Sequence, residues 1–162
     1  MKPRVVFDSV VCLQGAAREA GPAGACFRLM KESHITVFVS HETLAEVADV
    51  LNRPKLRQRF KSLTDEVVAA FLGELQNSGV LVDPVPQAFS YPRDPDDEPW
   101  VNLAIAAEAN YVVTWDNDLL DLMKDNPEGV GFRNRFPNLE VLSPVAFLHK
   151  LAVLKPGNPQ AG

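Results

Sequence analysis

Acidic residues stand at several places in this chain where a strand ends or a helix begins. Asp8 directly follows the apolar run Val5-Val6-Phe7, and Asp116 comes two residues after Thr114, which ends the run Tyr111-Val112-Val113. Glu46 lies in the segment after Thr36-Val37-Phe38-Val39, and Asp96, Asp97 and Glu98 stand together ahead of Pro99. Carboxylates brought close together resist ionising together. A hard divalent cation such as Mg²⁺ or Mn²⁺ relieves that conflict, taking one or two carboxylates and filling its other positions with water and phosphate oxygens. Acids from four segments could hold one or two such ions. The chemistry this supports is attack of a metal-activated water on a phosphodiester. Plainer roles exist for single acids. Asp97 or Glu98 could cap a helix, Glu46 shares a polar face with Glu42 and Asp49, and Asp118 reads as the N-cap of a short helix. Asp8 is the hardest to explain structurally, because an acid directly after a buried strand has few uses there.

The elements that must position these acids alternate along the chain. Val5 to Phe7, Thr36 to Val39, Val80 to Val82, Tyr111 to Thr114 and Leu139 to Leu142 read as strands. Between them lie helical segments. One region is broken by Gly21-Pro22, with a second helix through Phe27 and Met30. Another is capped by Ser40 and carries Leu44, Val47, Ala48 and Leu51 at helical spacing. A third is capped by Thr64 and stopped by Gly79. Pro99 suits the first turn of a helix whose buried face is Trp100, Leu103, Ala104 and Ala107, and Ser143-Pro144 opens a last helix through Leu151. Five strands separated by helices predict a three-layer α/β/α domain over residues 1–154 with a mostly parallel sheet, and the Pro/Gly-rich stretch 155–162 reads as a disordered tail. In such folds sites form at the carboxyl ends of strands where the strand order reverses.

The net charge of −5 argues against a general nucleic-acid binder, whose affinity comes from a basic surface. Distribution counts for more than the sum, and Arg53, Lys55, Arg57, Arg59 and Lys61 form a dense basic run that could hold an RNA backbone, dock an acidic partner, or merely be solvated. Trp100 reads as core and Trp115 lies beside the acids, where it could stack a base. The histidines show no ligand spacing. Cys12 and Cys26 lack the partners of a zinc site and read as buried free thiols. No apolar run reaches membrane-spanning length, and Met1-Lys2-Pro3-Arg4 is too short and polar for a signal peptide, so a cytoplasmic location is expected.

Four stretches, in order, resemble the PIN-domain ribonucleases, especially toxin components of bacterial and archaeal toxin–antitoxin pairs. They are Val5-Val6-Phe7-Asp8-Ser9; Ser40 to Val47 with Glu46; Asp94-Pro95-Asp96-Asp97-Glu98-Pro99-Trp100 followed by Leu103 to Ala107; and Tyr111-Val112-Val113-Thr114-Trp115-Asp116-Asn117-Asp118-Leu119-Leu120. The likeness spans about residues 4–145. It implies that Asp8, Glu46, Asp97 or Glu98, and Asp116 coordinate Mg²⁺ or Mn²⁺, that Ser9 and Thr114 position ligands or phosphate, with Asp118 in support, and that water attacks RNA. It also implies a cognate antitoxin and self-association. Spacing to Asp116 favours Glu98 as the third acid, and residue type favours Asp97. The family's opening motif usually has Asn two residues after the first acid, a place held here by Val10. A scaffold that binds RNA or protein without cutting is therefore the second reading. A phosphoryl-accepting receiver domain ranks last, because the acidic pair near the first strand and the later strand-end lysine are missing.

Overall fold

Runs of β-branched and aromatic residues with no polar alternation suit strands covered on both faces. In the computed structural model, which describes residues 2–154, they form β1 (Arg4–Phe7), β2 (Thr36–Val39), β3 (Val80–Leu81), β4 (Tyr111–Val113) and β5 (Glu140–Leu142). All pairings are parallel, in the order β3-β2-β1-β4-β5, with helices on both faces of the sheet. The expected tail at 155–162 lies outside the described residues. Central β1 is sealed, with Val5 and Val6 fully buried and Phe7 nearly so. Each such side chain contributes roughly 1.5–3 kcal/mol, more than the roughly 1 kcal/mol of a helix cap, so burial and not capping fixes the strand register.

The helices are α1 (Ser9–Ala17), α2 (Pro22–Lys31), α3 (His41–Leu51), α4 (Pro54–Arg59), α5 (Asp65–Ser78), α6 (Glu98–Ala106), α7 (Asn117–Leu120), α8 (Pro127–Arg135) and α9 (Pro144–Leu154). Their starts follow local chemistry. Asp8 caps α1 by accepting from Val11 N, and Ser40 and Thr43 form a reciprocal capping box on α3. Thr64 caps α5, and Pro22, Pro54, Pro99 and Pro127 sit in first turns. Gly79 ends α5 in an extended conformation (φ −76°). Glycine suits that place because a Cβ would stand 2.5 Å from Leu75 O and against Val39.

Several boundaries differ from the sequence reading. The strand expected through Val82 stops at Leu81, although Val82 N still donates to Val39 O. The strand expected through Thr114 stops at Val113, and that expected from Leu139 starts at Glu140. Asp116, not Asp118, caps α7, accepting from Asp118 N at 2.8 Å. Helix α8 was not foreseen. Its one deeply buried large residue is Phe132, which meets Phe89 edge-on, so the segment shows no repeating apolar face.

Phe7 packs against Phe27 of α2 and Phe147 of α9, and Phe27 in turn meets Phe71 of α5. This aromatic chain secures the elements around Asp8. Helices α1 and α2 approach through Gly15, where a Cβ would overlap the Phe27 ring. Because Phe27 is boxed in by Phe7 and Phe71, it cannot give way cheaply. Gly15→Ala is expected to destabilise the protein by about 1–3 kcal/mol, read as a lower urea midpoint at unchanged slope. A neutral result would mean that the α1–α2 contact is looser than described.

Candidate metal centre

The strand order reverses between β1 and β4, and their register pairs Phe7 with Val113. The next residues, Asp8 and Thr114, therefore emerge side by side at the carboxyl edge. The Thr114 hydroxyl donates to Asp8 Oδ2, while Asp8 Oδ1 accepts from Val11 N at 3.0 Å. Thr114 Oγ1 also accepts from Asp116 N at 2.9 Å, so one fully buried hydroxyl ties the first acid to the backbone of the last. Burial, opposed by these hydrogen bonds and reinforced by the charge of Asp116, raises the Asp8 pKa to about 6.

A tighter group lies beside them. Asp94, Asp97, Asp116 and Asp118 each offer a carboxylate oxygen, all within 4.8 Å of one another. Asp97 closes the single 3₁₀ turn Pro95–Asp97 ahead of α6, is 9% exposed, and has a buried Oδ2 with no hydrogen-bond partner. Burial first, then the neighbouring Asp116 and Asp94, push its pKa up to about 8. Burial raises Asp94 as well. A buried carboxylate oxygen without a donor, facing further acids, is the environment a hard cation satisfies. These residues fit Mg²⁺ or Mn²⁺, and their all-oxygen character speaks against a thiolate- or imidazole-preferring metal.

The remaining expected ligands fall in two places. Glu98 does not join the group: its Oε2 accepts from Tyr91 N at 2.7 Å and its Oε1 from Gln87 Nε2 at 2.8 Å. The 3₁₀ turn brings Asp97 into the group while Glu98 straps the preceding loop. Asn102, one helical turn further, adds to the strap by accepting from Ala88 N and Phe89 N. Glu46 is half-buried on α3, its pKa raised by burial against a hydrogen bond from Trp100, and it lies in the field of Asp96 next to Asp97. Ser9 opens α1 directly after Asp8, half-buried. Trp100 is core, whereas Trp115 is 38% exposed and its indole donates to Gln14.

Asp94 and Asn102 escaped the sequence reading. Asp94 stands at the head of the acidic stretch that resembles the family, but it precedes a proline in a loop and was not singled out as a ligand. Asn102 carried a usable signal, as a polar residue between Val101 and Leu103 on a buried helix.

The basic run divides. Arg57 is a structural clamp, donating to Leu51 O, Leu63 O, Asn52 Oδ1 and Asp65 Oδ1. Arg53 pairs with Asp49 at 3.0 Å, and Arg59 lies over the Phe60 ring. Lys55 and Lys61 are exposed and have no ion-pair partner among the described residues.

Raised carboxyl pKa values mean that the folded state holds protons the unfolded chain has released. Stability from Asp8 and Asp97 is thus fully present below about pH 4 and is lost as pH rises through about 6 and about 8 respectively. We expect the Tm of metal-free protein to fall between pH 5 and pH 8 relative to Asp97→Asn, with Mn²⁺ restoring it most at the alkaline end. At a hundredfold excess over Kd the cation adds about 2.7 kcal/mol. Thermal melts across pH, with and without Mn²⁺, measure this. Identical pH profiles for the two proteins would contradict the geometry of Asp97.

Comparison with known families agrees with this picture. A comparison with curated proteins finds no match. The profile of the PIN domain matches residues 4–118, which span β1 to α7 and include every residue of the acidic group, and the chain therefore belongs to the PIN-domain family.

Proposed function

We propose that this protein is a divalent-cation-dependent endoribonuclease acting as the toxin of a toxin–antitoxin pair. The observation that carries the nuclease reading is the convergence of Asp94, Asp97, Asp116 and Asp118 around a partnerless buried oxygen of Asp97, next to the Thr114–Asp8 pair. A cation held here would supply an activated water and neutralise charge on the phosphate. Asp8, Asp94, Asp97 and Asp116 would be the holding residues in this reading, with Glu46 on α3 as the further acid the family implies. Thr114 fixes Asp8 and the Asp116 backbone, so the donor set is arranged before substrate arrives. No side chain serves as a covalent nucleophile.

RNA as substrate rests on the family. Lys55 and Lys61 offer an electrostatic path for its backbone or a dock for an acidic segment of an antitoxin. Self-association follows from the family resemblance alone. The cytoplasm is the proposed compartment, which suits the free buried thiols Cys12 and Cys26. No helix among the described residues is long and apolar enough to cross a membrane.

The test is cleavage of a mixed RNA panel by purified protein in EDTA, Mg²⁺ and Mn²⁺, beside Asp8→Asn and Asp116→Asn. Cutting that requires metal and falls to background in both variants is expected. Folded wild-type protein that binds RNA but never cuts it would instead favour the binding-module reading, for which exposed Val10 beside Asp8 is the structural sign. Growth arrest on expression in a bacterial host, relieved by Asp8→Asn, tests the toxin role.

A further inference from the structure

The acidic group has a cation at its edge. Arg93 immediately precedes Asp94; its Nε lies 2.8 Å from Asp118 Oδ1 as an ion pair, and its Nη2 donates to Asp121 Oδ2 at 2.5 Å. Asp121 is steadied in turn by Lys124 Nζ at 2.9 Å. The loop carrying Arg93 is itself anchored, since the Tyr91 hydroxyl donates to Asp118 O at 2.6 Å and Asp94 N donates to Tyr91 O at 3.0 Å. Two carboxylates therefore fix the guanidinium, yet its side chain stays 41% exposed and Nη1 has no hydrogen-bond partner among the described residues.

An exposed ion pair does little for stability. A guanidinium held on two nitrogens with donors left over is preorganised for a phosphate, whose oxygens match its fork. The acidic group also needs such a residue, because carboxylates at its mouth repel a polyanion. Next to Arg93 in the chain, Ser90, Tyr91 and Pro92 line one groove of about 370 Å³ together with Pro127, Glu128 and Arg135, an opening into which a bound strand could continue.

We propose that Arg93 is a substrate-binding residue of this site, whose Nη1 holds a non-bridging phosphate oxygen of single-stranded RNA beside the acidic group. Asp118 then serves to aim Arg93, leaving Asp94, Asp97 and Asp116 to face the cation. The identity of the polyanion rests on the ribonuclease reading, whereas the phosphate contact can be measured without cleavage.

The experiment uses Asp8→Asn protein as the parent, with Arg93→Ala and Arg93→Lys added to it. Anisotropy of a labelled single-stranded RNA is followed across a salt series in Mn²⁺. Loss of one phosphate contact should flatten the slope of log affinity against log salt by about 0.7, and Arg93→Lys should keep the parent slope. In the otherwise wild-type protein, Arg93→Ala should lower kcat/KM about 10- to 100-fold, mostly through KM. A strut without substrate contact would lower Tm and leave the slope unchanged, and an unchanged slope in Arg93→Ala overturns the proposal whether or not the wild-type protein cuts RNA. An altered slope in a wild-type protein that never cuts would sustain the contact and sink the nuclease reading alone.

Discussion

Four aspartates whose oxygens lie within 4.8 Å of one another would drift apart if the chain were free to let them. Two unit charges 4 Å apart repel by about 4 kcal/mol even at an effective dielectric of about 20. The rest of the site is arranged to resist that force. The sealed strands β1 and β4 fix where Asp8 and Asp116 emerge, and the straps from Glu98, Asn102 and Tyr91 hold the loop that carries Asp94 and Asp97. Much of the hydrogen bonding around the site serves to keep like charges together. Something positive would relieve the strain of such an arrangement.

Protons are the first candidates to complete it, because burial among neighbouring carboxylates pushes the pKa of Asp97 and Asp8 upward. A divalent cation would have to displace those protons, so its affinity would rise with pH over the range in which they leave. The same burial that makes the site costly without a ligand makes it selective once one arrives. Asp97 Oδ2 is shielded from water, so a cation reaching it gains an oxygen that solvent has not already satisfied.

What the sequence disclosed depended on how local each cause was. Asp8, Thr114 and Asp116 were readable because buried runs end beside them, and the caps at Ser40 and Thr64 were readable because a cap acts within three residues. The choice between Asp97 and Glu98 was not readable. It turns on a single 3₁₀ turn at Pro95–Asp97 and on the demand of Tyr91 N and Gln87 for an acceptor. Asp94 depended on the same long-range loop. The basic run shows the converse: five like residues look equivalent in one dimension, yet Arg57 is consumed by two carbonyls, an amide oxygen and a carboxylate, while Lys55 and Lys61 remain available.

The net charge of −5 acquires a different meaning once the charges are placed. A uniformly basic surface would hold any RNA at any register, because phosphate attraction is insensitive to sequence. In the proposed reading a polyanion would be drawn where Lys55 and Lys61 are exposed, where Arg93 pairs with Asp118, and where a cation would fill the acidic group. Long-range capture is weak in such a design, and the energy of binding concentrates at the point of chemistry. In the proposed reading an acidic protein acts on RNA without adhering to it, because a cation would hold the polyanion at the one place where bare carboxylates would repel it.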